Sequence, residues 1–143
     1  MAETNELIKT VIQVLNDGST GFNDIGEHLK SENLKSFFIK EAQTRAKFAS
    51  ELEAASGIGS DVGGTTAGAV HRTWGNLKAN LGGGDHTLLE TAEQGEDAAK
   101  KAYKEALEDS SLTGPVRSLL QHQQTHIQAS HDQVKAYRDS TAS

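Results

Sequence analysis

Leu34, Phe38, Glu41, Arg45, Phe48, Leu52 and Ala55 recur along the chain at alternating steps of four and three. That spacing draws one stripe down a helix, the inward seam of a packed bundle. Glu41 and Arg45 fill two of its seats. A carboxylate and a guanidinium at core positions constrain the fold more than any apolar residue does, because each must find partners inside.

Glycine and the turn residues divide the rest of the chain. The first helix is expected from about Thr4, a plausible cap, to about Lys30, with Leu7, Ile8, Val11, Leu15, Phe22, Ile25 and Leu29 inward. It reads as continuous through Gly18, Gly21 and Gly26, since Gly18 and Ser19 fall on the stripe of Leu15 and Phe22 and leave room for a large side chain opposite. Ser31 caps a second helix from Glu32 to Ser56, and Gly57 to Thr66 reads as loop. A shorter helix is expected from Ala67 to Leu81, with Trp74 anchoring it. After Gly82, Gly83 and Gly84, a third long helix opens at Asp85 or at the capping box Thr87 to Glu90 and runs to about Asp109. Its seam is Leu89, Ala92, Glu96, Ala99, Tyr103 and Ala106. Thr113 and Pro115 start the last helix, which reaches about Arg138 with Val116, Leu120, Gln123, Ile127, Ser130, Val134 and Tyr137 inward.

Four long amphipathic helices and one short one predict an all-α, ferritin-like four-helix bundle. The tight first and last connections make helices one and two, and three and four, antiparallel. The connection over residues 57–84 is long enough to travel the bundle, so helices two and three run parallel and the Trp74 segment is a crossover. A length of 143 residues with 35% hydrophobic content fits one domain over 1–143.

Composition narrows the chemistry. With no cysteine, any metal would need carboxylate, histidine or water ligands. A formal charge of −6, with lysines scattered among acidic residues, disfavours nucleic acid. No run approaches the roughly eighteen apolar residues of a membrane span, and MAETNELIK lacks the pattern of a signal peptide. A cytoplasmic protein is expected.

Folding each hairpin on itself brings levels together. Reflection about Ser31 and Glu32 sets Gly18 opposite Arg45 and Phe22 opposite Glu41. Reflection about residue 112 sets Glu96 opposite Gln128, within a turn of His131. Glu41, Arg45, Glu96 and His131 then share one layer, with Glu93 flanking it. His131 lies roughly 60° from the centre of its apolar stripe and His122 about 120° away, at roughly 100° per residue; His126 is intermediate. Di-metal carboxylate bundles fill such a layer with a glutamate from each of two helices and a Glu-x-x-His pair from each of the others. Here Thr44 follows Glu41 by three, Gln128 precedes His131 by three, and Arg45 would repel a cation.

The segments AGAVHRTWGNLKANLGGGD (Ala67 to Asp85), EQGEDAAKKAYKEAL (Glu93 to Leu107) and SHDQVKAYRD (Ser130 to Asp139), with LNDGSTGF and EAQTRAKFASEL, resemble a family of uncharacterised bacterial proteins with a ferritin-like four-helix bundle. The likeness spans Leu7 to Asp139, and its signature is His71-Arg72-x-Trp74 followed by Gly95-Glu96-Asp97. The resemblance implies the fold and makes Arg45 part of a shared design; it supplies no substrate.

The leading expectation is a non-enzymatic bundle, stress-associated or an interaction module, in which Glu41, Arg45 and Glu96 form a structural charge layer without a cofactor. Its partner is another protein or a second copy. The competing expectation is a metal-binding oxidoreductase that holds iron or manganese on Glu41, Glu93, Glu96 and His131 and reduces peroxide or another oxidant.

Overall fold

The computed structural model describes residues 2–58, 74, 77–112 and 114–141. Its helices are α1 (Ala2–His28), α2 (Glu32–Ser56), a short α3 (Leu77–Asn80), α4 (Asp85–Leu107) and α5 (Gly114–Thr141). The four long ones form an all-helical bundle. α1 packs on α2 and α4, and α5 packs on α4 and α2, the last being the least intimate of these four contacts. α2 and α4 therefore face each other across the diagonal.

Hydrogen bonds between ends fix the helix directions. Asp85, at the start of α4, accepts from the backbone N–H groups of Lys30 and Ser31 at 2.9 and 3.2 Å, so α2 and α4 begin at the same end and run parallel. Thr4 donates to Asp109 at 2.6 Å, joining the start of α1 to the far end of α4. The chain from Ser56 to Asp85 must therefore return along the bundle. Of that return, the Gly57–Thr66 loop expectation from Gly59 onward and the Ala67–Leu81 helix at residues 67–73 and 75–76 lie outside the described residues, as does the Thr113 cap.

Local chemistry explains most of the boundaries. Ser31 caps α2 through its hydroxyl, which accepts from Leu34 N–H, and Gly57 ends it at a positive φ of 75° that a side chain would resist. α1 continues through its glycines, two of which face neighbours that need the space. A Cβ on Gly26 would lie 2.8 Å from the tip of Ile39, and one on Gly21 would lie 2.6 Å from the Trp74 ring. One start differs from the expectation: Thr4 lies inside α1 and makes the contact to Asp109 instead of capping. Of the two expected openings of α4 the helix takes Asp85, whose carboxylate is engaged with the α1–α2 turn.

The core is in two parts. One apolar cluster gathers Ile8, Val11, Ile12, Leu15, Phe48, Leu52, Tyr103, Leu120 and Ile127; the other gathers Phe22, Ile25, Phe38, Leu88, Leu89, Ala92 and Val134. Between Leu15 and Phe22, Phe38 and Phe48, Ala92 and Ala99, and Ile127 and Val134 lies a band of different character.

Candidate functional site

That band is built by four residues on three helices, all buried: Glu41 and Arg45 from α2, Glu96 from α4 and Ser130 from α5. Their helical seams aim them at the bundle axis, and the diagonal between α2 and α4 brings the guanidinium to the carboxylate. Arg45 is 1% exposed and Glu96 is fully buried. Arg45 Nη2 donates to Glu96 Oε1, to Ser130 Oγ at 3.0 Å and, at a longer 3.4 Å, to Glu41 Oε1. The Ser130 hydroxyl in turn donates a hydrogen bond to Glu96 Oε2 at 2.5 Å. Serine thus accepts from the cation and donates to the anion.

The remaining space around the guanidinium is shaped to it. Its Cζ lies 4.7 Å from the centroid of the Phe22 ring, in cation–π contact, and Nη1 lies where Gly18 leaves room, 3.8 Å from the position of an added Cβ. Nε is buried without a hydrogen-bond partner. Expecting Gly18 opposite Arg45 was sound because both lie on inward stripes about a short turn, whose symmetry is easily judged.

The layer reaches the surface on one side. His126 on α5, whose side chain is 39% exposed, turns Nε2 to both oxygens of Glu41, at 2.9 and 3.0 Å, which places the proton on Nε2. The ring edge packs on Phe48. Two internal carboxylates therefore face one internal guanidinium, and the imidazole meets the outer carboxylate. One turn of α5 away, Tyr103 donates to Gln123 Oε1 at 2.8 Å and Gln123 Nε2 donates to the Phe48 carbonyl at 3.1 Å. The α2–α5 seam is bridged by long polar side chains where the backbones approach least.

One expected layer residue, His131, is elsewhere, and the flanking Glu93 is engaged with another partner. His131 lies outside the layer, its Nε2 3.0 Å from Asp97 and its Nδ1 3.3 Å from Asp132. Glu93 forms an ion pair with Arg138. Gln128, expected opposite Glu96, is exposed and donates to Asp132. The reason is a small error of symmetry. The pairs Tyr103–Gln123 and Glu96–Ser130 are both symmetric about position 113, one beyond the assumed 112, and each step of that centre moves a partner by two residues. Ser130 lies on the inward stripe of α5, and a small polar side chain on an apolar stripe is the signal that the sequence carries.

Burial pushes the Glu96 carboxyl above the ordinary glutamate value, with Glu41 adding in the same direction, while Arg45 and Ser130 oppose the rise. The native state then holds this proton more tightly than the unfolded chain, so the contribution of Glu96 favours folding most below the ordinary glutamate value and declines as pH rises through the elevated one. We expect the stability difference between the wild type and Glu96→Gln, measured by urea unfolding from pH 4 to 8, to move against the wild type as pH increases. A difference that moves the other way would show a carboxylate stabilised overall by its neighbours.

Such a layer does not match the donor set of a di-metal centre. Of the candidate ligands Glu41, Glu93, Glu96 and His131 only Glu41 and Glu96 reach it, the Arg45 guanidinium lies between them, and among the described residues no group of three or more histidine, aspartate or glutamate side chains is arranged to hold a metal ion. No described helix is long and apolar enough to cross a membrane.

Residues 3–109 match the family model of a domain of unknown function, DUF2383, a span that includes Glu41, Arg45 and Glu96 and stops before α5, short of the Asp139 to which the resemblance reached. No curated protein matches the chain. Since the family model covers well over half of the 143 residues, the chain belongs to the DUF2383 family.

Proposed function

We propose that this protein is a non-enzymatic, ferritin-like helical bundle that acts as an interaction module in the cytoplasm, and that its interior charge layer sets the register of the helices. The observation that carries the reading is the Arg45 guanidinium seated between Glu41 and Glu96, with Ser130 closing the set. A fixed positive charge at the level where di-metal bundles hold cations opposes a cation there electrostatically. The long return between the parallel helices α2 and α4 supports the ferritin-like part of the reading.

The layer lies between two apolar clusters, so it penalises misalignment. Sliding α2 by one turn would carry Arg45 into hydrocarbon and strand Glu96, which the native pairing alone avoids. A rigid prop of this kind leaves its outer faces free for a protein partner.

A second reading, an iron or manganese protein that reduces an oxidant, draws on the meeting of Glu41 with the half-exposed His126. It requires Arg45 to leave the layer. Elemental analysis of untagged protein separates the two. We expect no stoichiometric iron or manganese, even after exposure to either ion; a bound ion that disappears in Glu96→Ala would overturn the proposal in favour of the second reading.

A further inference from the structure

Two histidines of α5, His122 and His126, stand one helical turn apart. At that spacing two side chains are neighbours on one face, with Cβ atoms about 5–6 Å from each other. It is also the spacing at which helical zinc sites present two imidazoles to one ion. His122 is exposed and makes no hydrogen bond or ion pair with any described residue.

His126 is held from behind. Its Nε2–H is donated to the Glu41 oxygens at 2.9 and 3.0 Å, and Glu41 is itself engaged by Arg45. The Phe48 ring meets the imidazole edge-on. With the proton committed to Nε2, Nδ1 keeps its lone pair, and no described residue takes it up. A carboxylate behind one ring nitrogen is the common support of a metal-ligating histidine, since it fixes the tautomer and makes the other nitrogen a better donor. Here the supporting carboxylate is buried, so the charge layer itself sets the orientation of a half-exposed ring.

The other described histidines lack this combination. His131 sets both ring nitrogens against aspartates, His86 meets Thr141 and Glu90, and Nδ1 of His28 faces the Asp24 carbonyl. None of the three has a second histidine one turn away. The surroundings of the α5 pair also suit a cation: Glu51 accepts from Gln123, the sequence neighbour of His122, at 3.5 Å, in a chain of net charge −6.

We infer that His122 and His126 form a two-imidazole site for a divalent zinc or copper ion on the outer side of α5. His126 binds through Nδ1, Glu41 is its positioning residue, and water fills the remaining positions. Imidazole donors without a coordinating carboxylate favour these late first-row ions over manganese and iron. The inference goes beyond the interaction-module reading, and both ligands lie outside the Glu41, Arg45 and Glu96 set. The assay of iron and manganese through Glu96 and the assay of zinc through His122 therefore fail separately.

The test is isothermal titration of the full, untagged chain with zinc chloride, alongside His122→Asn, His126→Asn and His131→Asn. Circular dichroism verifies that each variant folds, and the exposed His122 decides the question should His126→Asn unsettle the bundle. We expect one zinc per chain, bound about tenfold or more weakly in His122→Asn and in His126→Asn, which is at least what loss of an outer-shell partner costs. His131→Asn should bind as the wild type does. In nitrogen-15 spectra of the imidazoles, zinc should move the Nδ1 resonance of His126 and leave Nε2 protonated, which adsorption elsewhere on the surface does not produce. Absence of stoichiometric zinc, binding undiminished in His122→Asn, or binding lost in His131→Asn would each overturn the inference.

Discussion

Arg45→Ala is expected to destabilise the bundle by about 3–5 kcal/mol, the usual consequence of removing one partner from a buried ionic set. The loss follows from what remains. Glu96 would stay fully buried with only the Ser130 hydroxyl, Glu41 would keep only His126, and the space above Phe22 would be vacant. Arg45→Met refills the space without the charge, so the part of the loss that Met recovers measures packing and the remainder measures electrostatics. Urea unfolding at neutral pH reads both. The register argument makes a sharper demand on the pair Arg45→Met with Glu96→Leu. An apolar layer should recover much of the stability, because buried ion pairs add little net free energy over well-packed hydrocarbon. It should not recover unique alignment, since a continuous greasy seam no longer distinguishes one turn from the next. Broadened methyl resonances, or contacts between α2 and α5 displaced by a turn, are the expected result. If Arg45→Met alone stays as stable as the wild type with unchanged helix pairing, the layer does not set the register.

Much of this architecture was legible because seams on amphipathic helices are periodic. The α2 boundaries, the inward faces of α4 and α5 and the parallel run of α2 with α4 all follow from spacing and connection length. The site was less legible, because neighbours across a bundle depend on the centre of a turn that periodicity does not locate. Glu96 meets Ser130, not Gln128, for that reason alone. His126 was missed for another: a side chain at the edge of a stripe is drawn inward by a specific acceptor, here Glu41, whose position is a tertiary fact. His131 illustrates the reverse. Its angle on the wheel allowed it to face the layer, but Asp97 on α4 and its neighbour Asp132 offered carboxylates closer to the surface.

The glycines of α1 and α4 yield the second large effect, and they separate two roles that look alike in sequence. Gly21 and Gly95 form a notch for Trp74, the only tryptophan of the chain. A Cβ at Gly95 would lie 2.2 Å from Trp74 Cζ2, and one at Gly21 would lie 2.6 Å from Cζ3, both far inside van der Waals contact. Neither obstacle is the free end of a flexible chain, because the indole is a rigid plate already packed edge-on against Phe22 at 5.8 Å between ring centroids. Gly95→Ala should therefore expel the ring and cost roughly 1–3 kcal/mol, the range for overpacking a filled site. Its emission should shift to longer wavelength and become open to iodide quenching. Gly18 lies one turn before Gly21 on the same helix, yet a Cβ there makes an ordinary 3.8 Å contact with Arg45 Nη1. Gly18→Ala should leave the emission unchanged and stabilise α1 by roughly 0.5–1 kcal/mol through helix propensity. Opposite outcomes from Gly95→Ala and Gly18→Ala would identify the notch as the anchor of the crossover. A Gly95→Ala protein with wild-type emission and quenching would mean that the indole is held by something other than this pair of glycines, and the connection between α2 and α4 would then need a different fastening.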